Sequence, residues 1–220
     1  IQKGRKFMNF SANGFFNPEN RFWVFMEKMM NLCVIGFLWL LFSLPVITIG
    51  ASTTALFSYT LKLTRNEEGY IFKSFWKSFR ENFVLSTVIW LAAAAVGGFL
   101  MTDLYACQFL PVNGMIRWGI RVILVSLLFV YFLTVIYLFP LIASFRVSFK
   151  KAVGSALVMG VGNLYVSVTI LVIYGIFGVI AWFLPVLFMV WLALACYFAS
   201  HFFYSVFERY LPEVDKISNQ

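Results

Sequence analysis

The side chains able to carry proton, metal or nucleophilic chemistry are few in this 220-residue chain, and they lie far apart. There is one histidine, His201. A single imidazole cannot anchor a multi-histidine metal site. His201 sits late in an apolar run beside Ser200, Tyr204 and Ser205. Two roles are open to it: a hydrogen-bonded polar group between helices, or a catalytic or proton-relay group. The acids Glu27, Asp103 and Glu208 stand near the ends of apolar runs rather than in their middles. Cys33, Cys107 and Cys196 form no C-x-x-C pair and read as buried free thiols. No phosphate-cradling glycine loop, dinucleotide fingerprint or H-E-x-x-H is present. The expectation is a protein that is not an enzyme and holds no cofactor or metal.

The sharpest local pattern is Tyr70–Phe83, YIFKSFWKSFRENF. Phe72, Phe75, Trp76 and Phe79 fall at i, i+3, i+4 and i+7, and Lys73, Lys77 and Arg80 at i, i+4 and i+7. At about 100° per residue this makes one aromatic and one cationic face. Such an amphipathic helix lies at a membrane interface, with rings in the acyl boundary and cations among anionic headgroups. It is either a connecting elbow or a docking surface for a lipid or protein partner.

The elements that hold these residues are apolar almost throughout. Apolar residues make up 62% of the chain and charged residues 12%, and there are 27 phenylalanines. Mean hydropathy is +0.87. A soluble domain runs at about 45–50% apolar and about 25% charged, so this chain has too little charge to cover a water-facing surface. It reads as an all-α, polytopic helical bundle in a lipid bilayer. The net charge of +8 would suggest nucleic acid in a soluble protein. Here the cations cluster between apolar runs, the pattern of membrane orientation, and no nucleic-acid partner is expected.

Long apolar runs cover 29–47, 83–101, 116–143, 157–182 and 183–207. A further piece, 49–63, is short, rich in Ser and Thr, and follows Pro45. The 17 Lys and Arg decide whether it crosses. With six crossings, 15 share one side and only Arg117 and Arg121 take the other; if residues 1–7 are foreign and Met8 is the start, the split is 12 to 2. With five crossings the split is 10 to 7, which fixes no orientation. The asymmetric answer is favoured. The expectation is therefore six helices (five if 49–63 does not cross), both termini cytoplasmic, and Pro45–Gly50 as an outer turn. Thr48, Ser52, Thr53 and Thr54 should then meet neighbouring helices. No cleavable signal is evident.

One spacing occurs twice. Arg65 precedes Asn82 by the same interval as Arg146 precedes Asn163, and each Asn opens an apolar run. The same offset aligns Ser74 with Ser155, Ser86 with Ser167 and Ile89 with Ile170. This reads either as a parallel repeat of 51–101 and 132–182 within a single membrane domain spanning 1–220, or as coincidence. Gly154, Gly160, Gly162, Gly175 and Gly178 offer smooth faces for helix packing. Trp39, Trp90, Trp182 and Trp191 read as lipid-facing or belt residues, with sugar stacking the lesser alternative.

Leu44-Pro45-Val46-Ile47-Thr48-Ile49-Gly50-Ala51-Ser52, followed by a basic aromatic elbow ending in Arg80-Glu81-Asn82-Phe83, resembles the YesL-type bacterial membrane proteins, a family of unknown function. Gly14-Phe15-Phe16-Asn17 fits the same pattern. The later half matches in layout more than in motif. The resemblance implies a carbohydrate-uptake context, because members tend to be encoded beside ATP-driven oligosaccharide importers. It supplies no catalytic residues. The expected function is an accessory subunit in the cytoplasmic membrane. It would pack on the permease subunits of such an importer, with the solute-binding protein and ATPase in the same assembly. Phe72, Lys73, Phe75, Trp76, Lys77, Phe79 and Arg80 are its candidate partner or lipid contacts. Pro45, Gly50, Arg65, Asn82, Arg146 and Asn163 are its structural corners. The alternative is a stand-alone small-solute transporter or channel, with a polar path through 49–63, Asn31 and His201.

Overall fold

The computed structural model describes residues 21–67, 69–109, 111–184 and 187–218, with backbone only for Arg21 and residues 211–218. The Gly14–Asn17 motif and residues 1–7 lie outside the described residues. Every regular element among these residues is helical. Seven α-helices follow in order: α1 (Arg21–Ser43), α2 (Ile49–Thr64), α3 (Ile71–Ala106), α4 (Gly114–Ser144), α5 (Phe149–Gly162), α6 (Leu164–Phe183) and α7 (Phe188–Ser218). Short 3-10 turns at Val46–Thr48 and Cys107–Phe109 follow α1 and α3.

Among the described residues five stretches are long and apolar enough to cross a membrane: Phe22–Ser43, Ile71–Phe109, Gly114–Ser144, Leu164–Phe183 and Phe188–Tyr210. The sixth expected crossing, α2, is only 16 residues long. It is the centre of the bundle, packed by α1, α3, α4 and α7. Ala51, Ala55, Leu56, Phe57, Tyr59 and Leu63 are buried along it.

Hydroxyls join α2 to its neighbours. Ser43 and Ser52 Oγ lie 2.6 Å apart, Trp39 Nε1 donates to Thr53 Oγ1 at 3.1 Å, and Thr54 and Ser86 hydroxyls are 2.9 Å apart. Ser200 Oγ donates to Thr60 Oγ1 at 2.9 Å. Between helices in an apolar medium such bonds are worth about 0.6 kcal/mol each, up to about 1.7. Ser52, Thr53 and Thr54 thus meet other helices as expected. Thr48 Oγ1 likewise reaches Phe42 O of α1 at 2.6 Å, and it also bonds Pro45 O within the turn at 2.7 Å.

Two boundaries differ from the sequence reading. The elbow 70–83 is not a separate surface-lying helix: it is the first part of α3, which runs unbroken for 36 residues. The run 157–182 is not one helix either. It breaks at Asn163, whose φ of −119° and ψ of 53° are not helical. Gly160 and Gly162 precede this break, and glycine is a poor helix former; Arg80 and Glu81 precede Asn82, and that helix continues.

Close approach is confined to a few glycines. A Cβ on Gly50 would collide with Ser86 O and lie 2.6 Å from Trp90 Cβ; one on Gly160 would lie 3.0 Å from Leu133 O. Gly154, Gly175 and Gly178, expected as packing faces, have open space beside them. Trp39 and Trp90, expected as lipid-facing or belt residues, donate to Thr53 Oγ1 and to Val46 O, the second of these at the surface. Trp182 is 84% exposed.

Candidate functional site

The start of α3 carries the aromatic and cationic residues singled out by their spacing. Its rings stack as a ladder along the helix: Phe72 on Trp76 (centroids 6.5 Å, planes 5° apart), Trp76 on Phe79 (5.8 Å, 14°) and Phe75 on Phe79 (6.1 Å, 15°). Phe42 of α1 closes over one side of the ladder, 5.4 Å from Phe75, 5.6 Å from Trp76 and 5.2 Å from Phe79.

That contact divides the expected surface. Phe75 is fully buried and Phe79 is 8% exposed, so neither is open to a partner; both belong to the core. Phe72 is 60% and Trp76 39% exposed. Lys73, Lys77 and Arg80 are exposed on the adjoining side. Taking Phe72 as zero, a helical step of about 100° puts Trp76 near 40° and the three cations between about 80° and 140°. The accessible feature is therefore a seam where two rings adjoin three cations. It borders a groove of about 610 Å³ lined by Phe72, Lys73, Trp76, Lys77, Arg80 and Glu81.

A second groove, of about 660 Å³, begins at the same Glu81 and runs past Asn82 and Leu85 to Ile142–Ser148. Arg146, remote in sequence, therefore lines the groove next along from Arg80. The grooves beside the two basic corners share Glu81 as a lining residue.

The remaining corner residues fall into place separately. The Arg65 guanidinium lies 4.9 Å from the centre of the Tyr204 ring, a cation–π contact that ties the end of α2 to α7. Asn82 Nδ2 donates to Ser78 O at 3.1 Å, one turn back. Asn163 Nδ2 makes the matching bond to Met159 O at 3.2 Å and a further one to Tyr210 Oη at 3.2 Å. Pro45 O accepts from Thr48, and Gly50 sits against α3.

Sequence reasoning passed over Asn66, which stands just past the end of α2. It adopts a positive φ of 55°, and its Oδ1 accepts from Lys28 Nζ at 2.8 Å. Asparagine tolerates this left-handed region better than most residues, and that was the available signal. Phe42 was also missed, because nothing in its own run marks it out from neighbouring apolar residues.

His201 is exposed, and its Nδ1 lies 3.3 Å from Tyr197 O. Cys107 and Cys196 are buried free thiols, as expected, but Cys33 is exposed. Among the described residues no three of His, Cys, Asp and Glu gather closely enough to hold a metal ion.

These features define an all-helical, multi-pass membrane protein with Lys73, Lys77 and Arg80 exposed near the start of α3. The model of a family described as "Protein of unknown function, DUF624" matches residues 32–104, about a third of the chain, taking in the second half of α1, the turn, α2 and nearly all of α3. No curated protein and no solved structure matches the chain.

Proposed function

We propose that the chain is an accessory membrane subunit of an oligosaccharide ABC importer, packing beside the permease pair and stabilising or adjusting it. In this reading it is not an enzyme. It sits in the cytoplasmic membrane with both termini and the seam on α3 facing the cytoplasm, where 15 of its 17 cations would lie. The importer context comes from the resemblance to the YesL-type proteins. The observation that carries the reading is the seam itself. Phe72 and Trp76 are left open while Phe75 and Phe79 of the same ladder are buried. Exposed aromatics flanked by cations are the composition of an interface anchor with an electrostatic rim.

The stand-alone transporter receives less support. It needs a polar path, yet Ser52, Thr53, Thr54 and Thr60 of α2 are bonded to side chains of neighbouring helices, and His201 is exposed.

The test is a photo-crosslinking amino acid at Trp76, with the importer purified at native expression. An adduct with a permease subunit is expected from position 76 and none from the buried position 75. If neither co-purification nor an adduct from 76 is obtained, the accessory role is wrong. Solute flux in proteoliposomes holding this chain alone would favour the transporter.

A further inference from the structure

We infer that α1 and α2 form a re-entrant hairpin, whose turn at Leu44–Thr48 ends near the middle of the bilayer and touches acyl chains rather than water. The five-residue turn is thus a lipid-contact site and not the outer loop its sequence suggests.

The lengths show that the hairpin stops short of the far face. Residues 82–102 of α3 carry no Asp, Glu, Lys or Arg and extend over about 31 Å at about 1.5 Å per residue, matching the ~30 Å hydrocarbon core. Residues 122–144 of α4 are likewise uncharged, over about 34 Å. The hairpin is shorter. Between Lys28 and the turn, α1 offers only 29–43, and α2 offers only 49–61 before Lys62. These amount to about 22 Å and about 20 Å.

The register on α3 agrees. Lys62 Nζ reaches Ser74 Oγ at 3.0 Å, Thr54 meets Ser86 at 2.9 Å, and Trp90 Nε1 donates to Val46 O at 3.0 Å. The turn is therefore level with Trp90. That residue stands about 14 Å along the helix from Glu81 and about 20 Å from Asp103, inside the uncharged stretch. Beyond it α3 continues for about 24 Å to Ala106, where Cys107 Sγ approaches Arg117 O at 3.8 Å at the far tip.

The chemistry of the two turns differs as this depth requires. The far tip contains Gln108 and Asn113 and is flanked by Asp103 and Arg117. Residues 44–49, LPVITI, contain no charge or amide side chain, and Leu44, Val46 and Ile47 are all well exposed. Irregular backbone in hydrocarbon must have its polar groups satisfied by protein. Here Thr48 Oγ1 lies 2.6 Å from Phe42 O and 2.7 Å from Pro45 O, Thr48 N donates to Pro45 O at 2.9 Å, and Trp90 covers Val46 O. Pro45 has no N–H to satisfy. Both flanks of the hairpin then leave on the face that carries Lys28, Lys62 and Lys73, which preserves the charge asymmetry.

The experiment places single cysteines at Val46, Tyr70 and Met115, with the native chain and its three cysteines as the blank. An impermeant maleimide is applied to membrane vesicles of each orientation. Tyr70→Cys should label from one face and Met115→Cys from the other. Val46→Cys should label from either face more than about tenfold more slowly than those two. A fluorophore then attached at 46 with a permeant reagent should be quenched most by lipids brominated at mid-chain. Labelling of position 46 from the Met115 face at a comparable rate overturns the proposal. So does protection without mid-chain quenching. Ile47→Cys repeats the measurement should the Val46 variant fail to accumulate.

Discussion

Between α2 and α3 the tightest approach puts Gly50 of the first helix against Ser86 and Trp90 of the second. Between α4 and α5 the glycine is on the other partner: Gly160 of the second helix lies against Leu133 of the first. The first helix brings Leu133, Tyr137 and Leu141, and the second brings Ala152, Ala156 and Gly160. The two regions share a frame even so. Phe75, Ser78, Phe79, Ser86 and Ile89 are buried, and at the constant offset so are Ala156, Met159, Gly160, Ser167 and Ile170. Small residues let transmembrane helices approach closely. The close glycine stands on α2 in the first region and on α5 in the second, while burial at the constant offset is common to both.

The largest expected effect is at Phe75. Phe75→Ala should destabilise the protein by about 3–5 kcal/mol, because the ring is fully buried against Phe42 and Phe79. Denaturant unfolding of the detergent-solubilised protein measures this, and a loss under about 1 kcal/mol would mean the ladder is not core. Next come the glycines. Gly50→Ala forces a Cβ into the backbone of α3 and should cost about 3 kcal/mol, whereas Gly160→Ala meets Leu133 O at a tolerable 3.0 Å and should cost about 1. Equal costs in the same assay would contradict the tighter approach at Gly50.

Smaller differences come from the paired serines. Ser86→Ala removes one interhelical bond to Thr54 and should lose about 0.6–1.7 kcal/mol. Ser167 Oγ lies near Tyr137 Oη at 3.2 Å, Gly160 O at 2.8 Å and Asn163 O at 3.0 Å. Ser167→Ala should therefore cost at least as much as Ser86→Ala; a smaller loss would show that the second region does not depend on this junction. The smallest contrast is at the asparagines. Asn163→Leu forfeits the bond to Tyr210, about 0.6 kcal/mol, while Asn82→Leu loses only a bond within its own helix. A thermal shift that is larger for Asn82→Leu would reverse the assignment.

Much of this was legible beforehand, and the misses have definite causes. The period of Phe72–Phe79 correctly placed four rings on one side of a helix. It could not say that Phe42 would cover part of that side, since a period orders residues around one axis and carries no information about the neighbour. The break at Asn163 had a visible cue in Gly160 and Gly162, but hydropathy sums over a window and passes through glycines. The adjoining grooves of Arg80 and Arg146 depend on the end of α4 lying beside α3, which spacing along the chain does not encode.

Composition alone determined the solvent. With so few charges and so many apolar side chains, only a lipid environment leaves the outside of these helices stable, and the uneven placement of Lys and Arg marks which ends share a face. Tertiary packing decided the rest: which rings stay open, where the grooves beside two basic corners adjoin, and how far the first hairpin reaches. The reason is that transfer to lipid adds up residue by residue along a sequence, whereas contact and depth depend on how separate helices are set against one another.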